Sequence, residues 1–286
     1  MKSAILSQED FEYLAQLIKQ CNGLSLAIDK MYLIESRLLP LAKKWNFSDL
    51  SSLVEKLRTL TADQSIINDI SNAMTTNETL FFRDLKPFEA LQKEILPKLA
   101  KARTARKHIR IWCAAASTGQ EPYSIAMILM EEKAKYPDFT FEIFATDINK
   151  DIMTRAEEAV YSQFEVQRGL PIQYLVRYFT QEGDRWKLKD SIKNMVTYRL
   201  FNLLDDPTPF GHFDVIFCRN VLIYFDLPTK IKIVNHLASI LTQDGYLLLG
   251  GAEAMLGISD KFKIPEGMRS IYQLHAPTTK LAALKA

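Results

Sequence analysis

The chain has 286 residues, of which 48% are hydrophobic and 24% are charged, and this average composition excludes a disordered or fibrous protein. Its length suffices for one large domain or for two domains with separate cores. The 36 Lys and Arg residues nearly balance the 34 Asp and Glu residues, for a formal charge of +2. This charge is too small for a protein that coats a polyanion, so we expect no nucleic-acid partner.

The three cysteines, Cys21, Cys113 and Cys218, lie far apart and lack metal-ligand spacing. They indicate neither a disulfide framework nor a metal site, so we expect no bound metal. The N-terminal segment becomes acidic within ten residues, which is atypical of a signal peptide, and no run of about 18 apolar residues occurs. We therefore expect a cytoplasmic protein that does not insert into a membrane.

Up to about residue 105, apolar residues recur at helical spacing, as at Phe11, Leu14 and Ile18, which predicts an all-helical region. The predicted helix N-caps, each followed by acidic residues in the first turn, are Ser7, Ser48 and Thr61. A further helix is predicted over residues 29–45, where Pro40 should kink the helix or end a turn. The basic residues on the polar side of that helix are Lys30, Arg37, Lys43 and Lys44.

Residues 93–110 hold seven basic residues against a single acid, Glu94, and are predicted to form a solvated helix and linker. From Ile109 onward, β-rich runs alternate with helices: IRIWCA, FEIFATD, DVIFCRN and GYLLLGG. This alternation predicts an α/β fold with a doubly wound, mainly parallel sheet, whose ligands bind at the carboxyl ends of the strands. A small β-hairpin insertion is predicted at about residues 178–198.

The first predicted strand ends at Ala114 and continues into small residues with a single glycine, Gly119. A pyrophosphate would require the pattern G-x-G-x-x-G, so an adenosyl ligand without phosphates fits this turn better. Close packing of an ordinary strand-to-helix turn is an equally good interpretation.

Polar residues also follow the later strands. Asp147 could accept both hydroxyls of a ribose, and the alternative is a helix N-cap. Asn202 could bind an adenine edge while Leu203 packs on its ring, although Asn at a strand end is commonly a turn residue. Arg219 and Asn220 lie just beyond an apolar run and need a ligand or a partner.

Two further features leave alternatives open. Tyr224 is either a catalytic phenol or a core aromatic with its hydroxyl at the rim. The polar run TTNETLFFRD at residues 75–84 is either a lid over a cofactor or a solvated turn, in which Arg83 forms a surface ion pair of little energetic value.

Five strings now stand in one order: TTNETLFFRD, IWCAAASTGQEPYSIA, FATDIN, FNLLD and FCRNVLIYFD. With the helical region ahead of them, they resemble the chemotaxis-receptor glutamate methyltransferases, the CheR family, over nearly the whole chain. The resemblance implies a small all-helical domain at 1–75, a linker over the cofactor at 76–92 and a methyltransferase domain at 93–286. It also implies transfer of a methyl group from S-adenosylmethionine to receptor glutamates, which leaves S-adenosylhomocysteine.

The resemblance also assigns site residues. It places Asn77, Thr79 and Arg83 in the closing linker, Glu121 near the methionyl amino group and Asp147 on the ribose. It places Asn202 and Leu203 on the adenine, and Arg219 and Asn220 in the same pocket. It assigns Arg83 and Tyr224 to the reacting centre. Ala114, at the start of the small-residue turn, is a further candidate for cofactor binding.

Two departures from the family pattern stand out. The late motif reads Gly250-Gly251-Ala252-Glu253 and lacks the family's serine, from which we expect altered packing rather than lost activity. The loop at residues 181–186 is shorter than in members that bind a peptide at the receptor's C-terminus. We therefore expect no such tether, and we expect a monomer.

The chemistry suits these residues because a glutamate carboxylate is already ionised at neutral pH and needs no strong base. Receptor methylation sites lie on helical bundles rich in Glu, so Lys30, Arg37, Lys43 and Lys44 could aid docking. An ordinary solvated helix face is the alternative. The competing functions are a nicotinamide-dependent oxidoreductase, a non-catalytic binding module and a nucleic-acid methyltransferase. The missing glycines disfavour the oxidoreductase, and the near-neutral charge disfavours the nucleic-acid methyltransferase. The presence of Arg83 and Tyr224 disfavours the non-catalytic module.

Overall fold

The computed structural model describes residues 6–59 and 63–275. The helices are α1 (Gln8–Asn22), α2 (Met31–Lys44), α3 (Leu50–Leu57), α4 (Gln64–Met74), α5 (Lys86–Ala90), α6 (Leu96–Ala102), α7 (Gln120–Glu132), α8 (Lys150–Glu158), α9 (Gln163–Gln167), α10 (Ile172–Tyr178), α11 (Asp190–Lys193) and α12 (Leu227–Ile240). The strands are β1 (His108–Ala114), β2 (Thr140–Asp147), β3 (Val160–Ser162), β4 (Phe179–Glu182), β5 (Arg185–Leu188), β6 (Val196–Leu200), β7 (Phe213–Cys218), β8 (Leu241–Leu249), β9 (Phe262–Lys263) and β10 (Ile271–Leu274). In these described residues, no helix combines the length and the apolar character needed to cross a bilayer.

Helices α1 to α4 pack around a core of their own, with Leu14, Ile34 and Leu53 fully buried. The predicted cap Ser7 is confirmed, because its hydroxyl accepts the backbone N–H of Asp10 at 3.1 Å. Ser48 is not the cap of α3. Asp49 takes that place through a reciprocal pair of hydrogen bonds with Ser52, since its carboxylate accepts the N–H more strongly than a hydroxyl. The predicted cap Thr61 lies outside the described residues, and Asp63 caps α4.

Of the two predicted effects of Pro40, the end of a turn is wrong, because α2 continues through Pro40 to Lys44, and the kink stays a prediction. Proline removes the N–H that would bond to the carbonyl four residues earlier, that of Ser36. Both Ser36 and Pro40 are exposed, so water can satisfy this carbonyl and the helix tolerates the loss.

The main sheet has seven strands in the order β6-β2-β1-β7-β8-β10-β9. The first five strands are parallel, and β10 pairs antiparallel with β8. Residues of β1 alternate between two hydrophobic clusters, with Ile111 in one and Trp112 in the other, so both faces are covered. The predicted doubly wound α/β fold is confirmed, and the order in which successive strands are added reverses between β1 and β7, the point at which open sheets bind ligands.

The insertion differs from the predicted hairpin at 178–198. It is a three-stranded sheet, β3-β5-β4, and residues Val196–Leu200 form the edge strand β6 of the main sheet. The third strand, β3, has only three residues and is too short to give a periodic signal. The hairpin turn itself consists of Gly183 and Asp184, with Gly183 at φ 64°.

The basic segment at residues 93–110 is not merely solvated. Asp214, fully buried in β7, accepts hydrogen bonds from the guanidinium groups of Arg103 and Arg106 and from the backbone N–H of Arg110. Arg110 also forms a two-point ion pair with Glu142 of β2, with both distances at 2.8 Å. These arginines fix the start of β1 to its neighbours, because a buried carboxylate requires charged partners.

The helical domain lies against the loops that follow the strands of the main sheet. Leu24 forms a β-bridge with Phe225, and the Ser25 N–H donates to the carbonyl of Tyr224 at 3.0 Å. Lys19 forms an ion pair with Asp226 at 2.6 Å. The helical domain therefore closes over the carboxyl ends of the sheet.

Candidate active site

A cavity lies between the carboxyl ends of β1, β2 and β7, the linker and the helical domain, and it encloses about 890 Å³ that includes space open to solvent. Eight of the predicted site residues line it: Asn77, Thr79, Arg83, Glu121, Asp147, Arg219, Asn220 and Tyr224. Three predicted residues, Ala114, Asn202 and Leu203, do not. The switch point of the sheet thus brings together residues from four separate motifs.

The turn after β1 approaches the cavity with its backbone. Ala115 and Ser117 have φ values of 61° and 51°, a region that disfavours larger side chains. Gly119 has φ 93°, and a Cβ there would lie 2.7 Å from the Tyr198 hydroxyl and 2.9 Å from the Tyr123 ring. Only glycine fits this point, which fixes where α7 begins.

Asp147 ends β2 and is buried, with 6% of the residue exposed. Its Oδ2 accepts the N–H of Ser117 at 2.9 Å, and its Oδ1 accepts the N–H of Asn149 at 3.0 Å. Burial raises the pKa of Asp147, and these backbone hydrogen bonds oppose the rise. The N-cap interpretation is wrong, because Asn149 caps α8. Each carboxylate oxygen of Asp147 accepts one of these two hydrogen bonds and keeps a lone pair for a further donor.

Arg219, whose side chain is 1% exposed, links the strand ends to the linker. Its Nη1 donates to Glu121 at 2.8 Å, and its Nη2 donates to the carbonyl of Arg83 at 2.7 Å and to Asp84 at 2.8 Å. Its buried Nε has no hydrogen-bond partner in the described part of the chain. Burial raises the pKa of the Glu121 carboxyl despite the opposing charge of Arg219.

The linker forms the opposite wall. The Ser117 hydroxyl donates to the carbonyl of Asn77 at 2.9 Å. Arg83 donates through Nη1 to the carbonyl of Glu78 at 3.0 Å, so the surface ion-pair interpretation for Arg83 is wrong. Phe81 is fully buried and packs edge-on against Tyr161 and Phe179. Phe81 thus anchors this wall, while most of the polar residues of the motif line the cavity.

Glu253 holds the loop after β7. Its carboxylate accepts backbone N–H groups from Asn220 at 2.8 Å, Val221 at 3.0 Å and Ile223 at 3.2 Å, and from Gly250 at 2.7 Å. Asn220 has φ 58°, and a Cβ on Gly250 would lie 2.7 Å from its side-chain nitrogen. The loop that carries Asn220 and Tyr224 is therefore fixed by a residue that the sequence analysis treated only as part of a divergent motif.

Three predicted residues lie elsewhere. Ala114 is fully buried inside the sheet, so the backbone of the residues that follow it reaches the cavity instead. Asn202 donates from its side chain to the carbonyl of Cys21 at 2.7 Å and accepts the N–H of Leu204 at 3.0 Å. This is the turn-residue alternative, combined with a contact to the helical domain. Leu203 packs against the hydrophobic cluster on the α12 face.

Comparison with known proteins identifies the architecture. The family model "CheR methyltransferase, SAM binding domain" matches residues 77–271, and "CheR methyltransferase, all-alpha domain" matches residues 9–75. The chain belongs to the CheR methyltransferase family. The resemblance predicted from the five strings is confirmed, and the enzyme is an S-adenosylmethionine-dependent methyltransferase.

Similar proteins cover most of this CheR enzyme. A chemotaxis protein methyltransferase from Vibrio parahaemolyticus is 40% identical over 269 residues, 92% of this chain and 96% of its own. Chemotaxis protein methyltransferase 1 from Pseudomonas aeruginosa is 39% identical and covers 89% and 93%. The crystal structure of magnesium protoporphyrin IX methyltransferase from Synechocystis with bound S-adenosylmethionine is 15% identical, covers 75% and 95%, and has a TM-score of 0.36.

The cavity of this CheR enzyme fits its cofactor chemically. A ribose offers two hydroxyl donors, and Asp147 retains acceptor lone pairs. A methionyl group carries an ammonium and a carboxylate, and Glu121 and the unpartnered Nε of Arg219 offer the complementary charges. The turn at Ala115–Ser117 presents backbone rather than bulky side chains, so an adenosyl group can approach it closely.

Sequence reasoning missed several residues of the wall. They are Asn22, Leu24, Met74, Ile148 and Phe225. The first three belong to the helical domain, and helical periodicity alone gives no sign of how that domain docks. Phe225 is the penultimate residue of the string FCRNVLIYFD, and an aromatic residue in a largely apolar run gives no sign that it lines a cavity.

Proposed function

We propose that this enzyme methylates glutamate side chains in the cytoplasmic helical bundles of chemoreceptors and forms glutamyl methyl esters. The observation that carries the proposal is the absence of histidine from the cavity wall in the described residues, while Arg83 and Tyr224 lie on that wall. A nucleophile that is already ionised at neutral pH needs orientation rather than a base. Among protein side chains, a carboxylate meets this requirement best.

The bound cofactor supplies an electrophilic methyl group on a sulfonium. The residues of the chain would bind the cofactor, orient the incoming carboxylate and exclude water. Asp147 would bind the ribose, while Glu121 and Arg219 would bind the methionyl group. The roles of Asn202, Leu203 and Ala114 toward the adenosyl group stay predictions.

Arg83 and Tyr224 would orient the incoming carboxylate. The Arg83 guanidinium has donors beyond the one that it gives to the Glu78 carbonyl, and a carboxylate oxygen can accept one of them. Tyr224, half-buried on the wall, can donate a neutral hydrogen bond that does not over-stabilise the anion. Opposite charges cancel as the methyl moves, so a site shielded from water by the linker favours transfer.

Transfer of labelled methyl from S-adenosylmethionine to a receptor cytoplasmic fragment tests this proposal. Mild base should release the label as methanol, as expected for an ester and not for a methylated amine or base. Tyr224→Phe should lower kcat about tenfold and leave cofactor affinity unchanged, which is the expected loss of one hydrogen bond. Tyr136→Phe, remote from the cavity, is the control. Label that resists base, or an unchanged kcat in Tyr224→Phe, would overturn the proposal.

We further propose that the enzyme acts in the cytoplasm as a monomer, without a receptor tether. The two-residue turn between β4 and β5 supports the last point, because it leaves little loop to contact a peptide. Calorimetry with a peptide from the receptor C-terminus should show no binding, and micromolar affinity would contradict this. Light scattering of the purified chain tests the oligomeric state.

A further inference from the structure

Arg37 of α2 directs its guanidinium at the point where α4 ends and the linker begins. Its Nη1 donates to the carbonyl of Met74 at 2.8 Å and to the carbonyl of Thr75 at 2.9 Å, and its Nη2 donates to the Thr76 hydroxyl at 3.1 Å. These three residues, at the end of α4 and the start of the linker, all line the cavity. Arg37 therefore holds residues of the cavity wall by hydrogen bonds. The sequence analysis had offered Arg37 as a solvent-facing docking residue.

The local backbone explains why a cation is needed here. Helix α4 ends at Met74, and Thr75 has extended backbone angles of φ −68° and ψ 147°. The last carbonyls of a helix lack intrahelical donors and carry partial negative charge. The planar fork of arginine can satisfy several of them at once, which the single ammonium of lysine cannot do in the same geometry.

The same wall is held from the other side by the methyltransferase domain. Asn149 donates to the Thr75 hydroxyl at 3.0 Å, and Asn77 donates to that hydroxyl at 3.1 Å. Ser117 then donates from its hydroxyl to the Asn77 carbonyl and from its backbone to Asp147. A continuous series of hydrogen bonds thus joins Arg37 to the predicted ribose carboxylate.

We propose that Arg37 is a positioning residue for the cofactor: it fixes the linker wall over the cavity without touching S-adenosylmethionine. This inference rests on the proposed placement of the cofactor in the cavity. It replaces the docking role of Arg37 and leaves the roles of Lys30, Lys43 and Lys44 untouched. Removal of the guanidinium should therefore weaken cofactor binding in the absence of any receptor.

Titration calorimetry of the full chain with S-adenosylhomocysteine tests the proposal, with no receptor present. Arg37→Ala should raise Kd about tenfold, equivalent to the loss of one hydrogen bond to a charged group, or ~1.4 kcal/mol. Arg37→Lys should restore only part of the affinity, because one ammonium replaces the fork. The receptor KM, measured at saturating cofactor, should stay within about twofold of the wild-type value.

Arg58→Ala is the matched control. Arg58 belongs to the same domain and pairs with Glu9 at 3.0 Å and Asp10 at 3.5 Å, away from the linker. It should leave the Kd of S-adenosylhomocysteine unchanged. An equal rise in Kd in both variants would mean that general destabilisation of the domain is responsible, and the proposal would be overturned. If Arg37→Ala does not fold, Arg37→Lys and Arg37→Gln carry the same measurement.

A third variant separates this inference from the proposed site. Asp147→Ala should raise Kd at least as much as Arg37→Ala does. If Asp147→Ala weakens binding while the Arg37 variants bind as the wild type and only their receptor KM rises, Arg37 is a docking residue and this inference alone fails. If Asp147→Ala binds as the wild type, the cofactor lies elsewhere and both proposals fail.

Discussion

The cavity has two walls of different construction. The sheet supplies buried charged side chains, Asp147 and Arg219, at the ends of strands whose positions the core fixes. The linker supplies half-exposed polar residues, and the end of α4 from which it starts is held by hydrogen bonds from Arg37 and Asn149 to backbone carbonyls. Buried charge therefore lies in the sheet wall, which the core holds in place, whereas the position of the linker wall depends on a few hydrogen bonds.

This contrast suggests a division of labour. Charge buried in a fixed frame determines which ligand binds, because unpaired charge in that frame is costly. A wall held by hydrogen bonds to its backbone can shift with a smaller loss of free energy, so it suits the part of a site that admits and shields the substrate. Substitutions in the sheet wall should lower both stability and ligand affinity, whereas those that loosen the linker wall should lower mainly ligand affinity.

Arg219→Met should have the largest effect, because it leaves Glu121, whose side chain is only 12% exposed, without its partner. We expect the free energy of unfolding at pH 7.5 to fall by about 3 to 5 kcal/mol. The pKa of Glu121 is already raised in the folded chain. The contribution of Glu121 to the free energy of unfolding therefore declines as pH rises from its unfolded-state pKa through its folded-state pKa. Loss of Arg219 enlarges that decline.

Urea denaturation at pH 5 and pH 7.5 measures this effect. The difference between wild type and Arg219→Met should be larger at pH 7.5, where the unpaired carboxylate would have to be ionised. Arg155→Met, which removes an exposed ion pair with Glu165, should cost less than about 1 kcal/mol. Equal losses at both pH values would show that Glu121 is not the residue left without a partner.

Glu253→Gln should have the next largest effect, on the loop that carries Asn220 and Tyr224. The new amide would point a donor at two backbone N–H groups that now donate to an oxygen, and we expect a loss of about 2 kcal/mol. Turnover should fall more than cofactor affinity does, since Tyr224 belongs to the reacting side. Urea denaturation and initial rates check both points, with Glu266→Gln, on the exposed surface, as control. An unaltered unfolding free energy would contradict the role of Glu253.

The sequence predicted the sheet wall better than the linker wall, for a physical reason. The carboxyl ends of parallel strands meet at one edge, so the order of the motifs alone placed Asp147, Arg219 and Asn220 together. The direction of a side chain at a loop is not set in this way. Asn202 follows β6 as expected, yet its amide binds the carbonyl of Cys21, 181 positions away.

Contacts between residues far apart in the chain escaped prediction for the same reason. The charge of Arg37 suggested a surface role, whereas its partners are carbonyls that become available only where α4 ends beside α2. The arginines of the segment before β1 looked solvated because their partner, Asp214, lies more than 100 positions later. Composition reports that a residue is charged, and only the fold shows which charge or dipole it meets.

Asn149→Ser should have a smaller and more selective effect. Serine keeps the helix cap that Asn149 provides for α8 but cannot extend a donor to Asn72 and Thr75. We expect stability to change by less than about 0.5 kcal/mol and the Kd of S-adenosylhomocysteine to rise about threefold, the loss of a typical neutral hydrogen bond. Calorimetry and urea denaturation measure the two quantities. A fall in stability without a change in Kd would contradict the expectation that substitutions at the linker wall lower mainly ligand affinity.

Charge reversal on the outer surface of the helical domain should have the smallest effect. Lys43 is exposed, while Lys44 pairs with Asp69 at 2.9 Å, so Lys43→Glu tests docking with the least structural disturbance. We expect receptor kcat/KM to fall about twofold to threefold at low salt, because opposite charge speeds the encounter with an acidic bundle. The effect should vanish at about 0.5 M salt, where screening is nearly complete.

The affinity for S-adenosylhomocysteine separates this surface from Arg37. Lys43→Glu should leave that affinity unchanged, because in the described residues Lys43 does not line the cavity and forms no hydrogen bond or ion pair with the linker wall. If receptor kcat/KM is the same at low salt for Lys43→Glu and the wild type, docking does not depend on this charge. The helical domain would then act on the reaction through the wall that it holds over the cofactor, and not through its outer face.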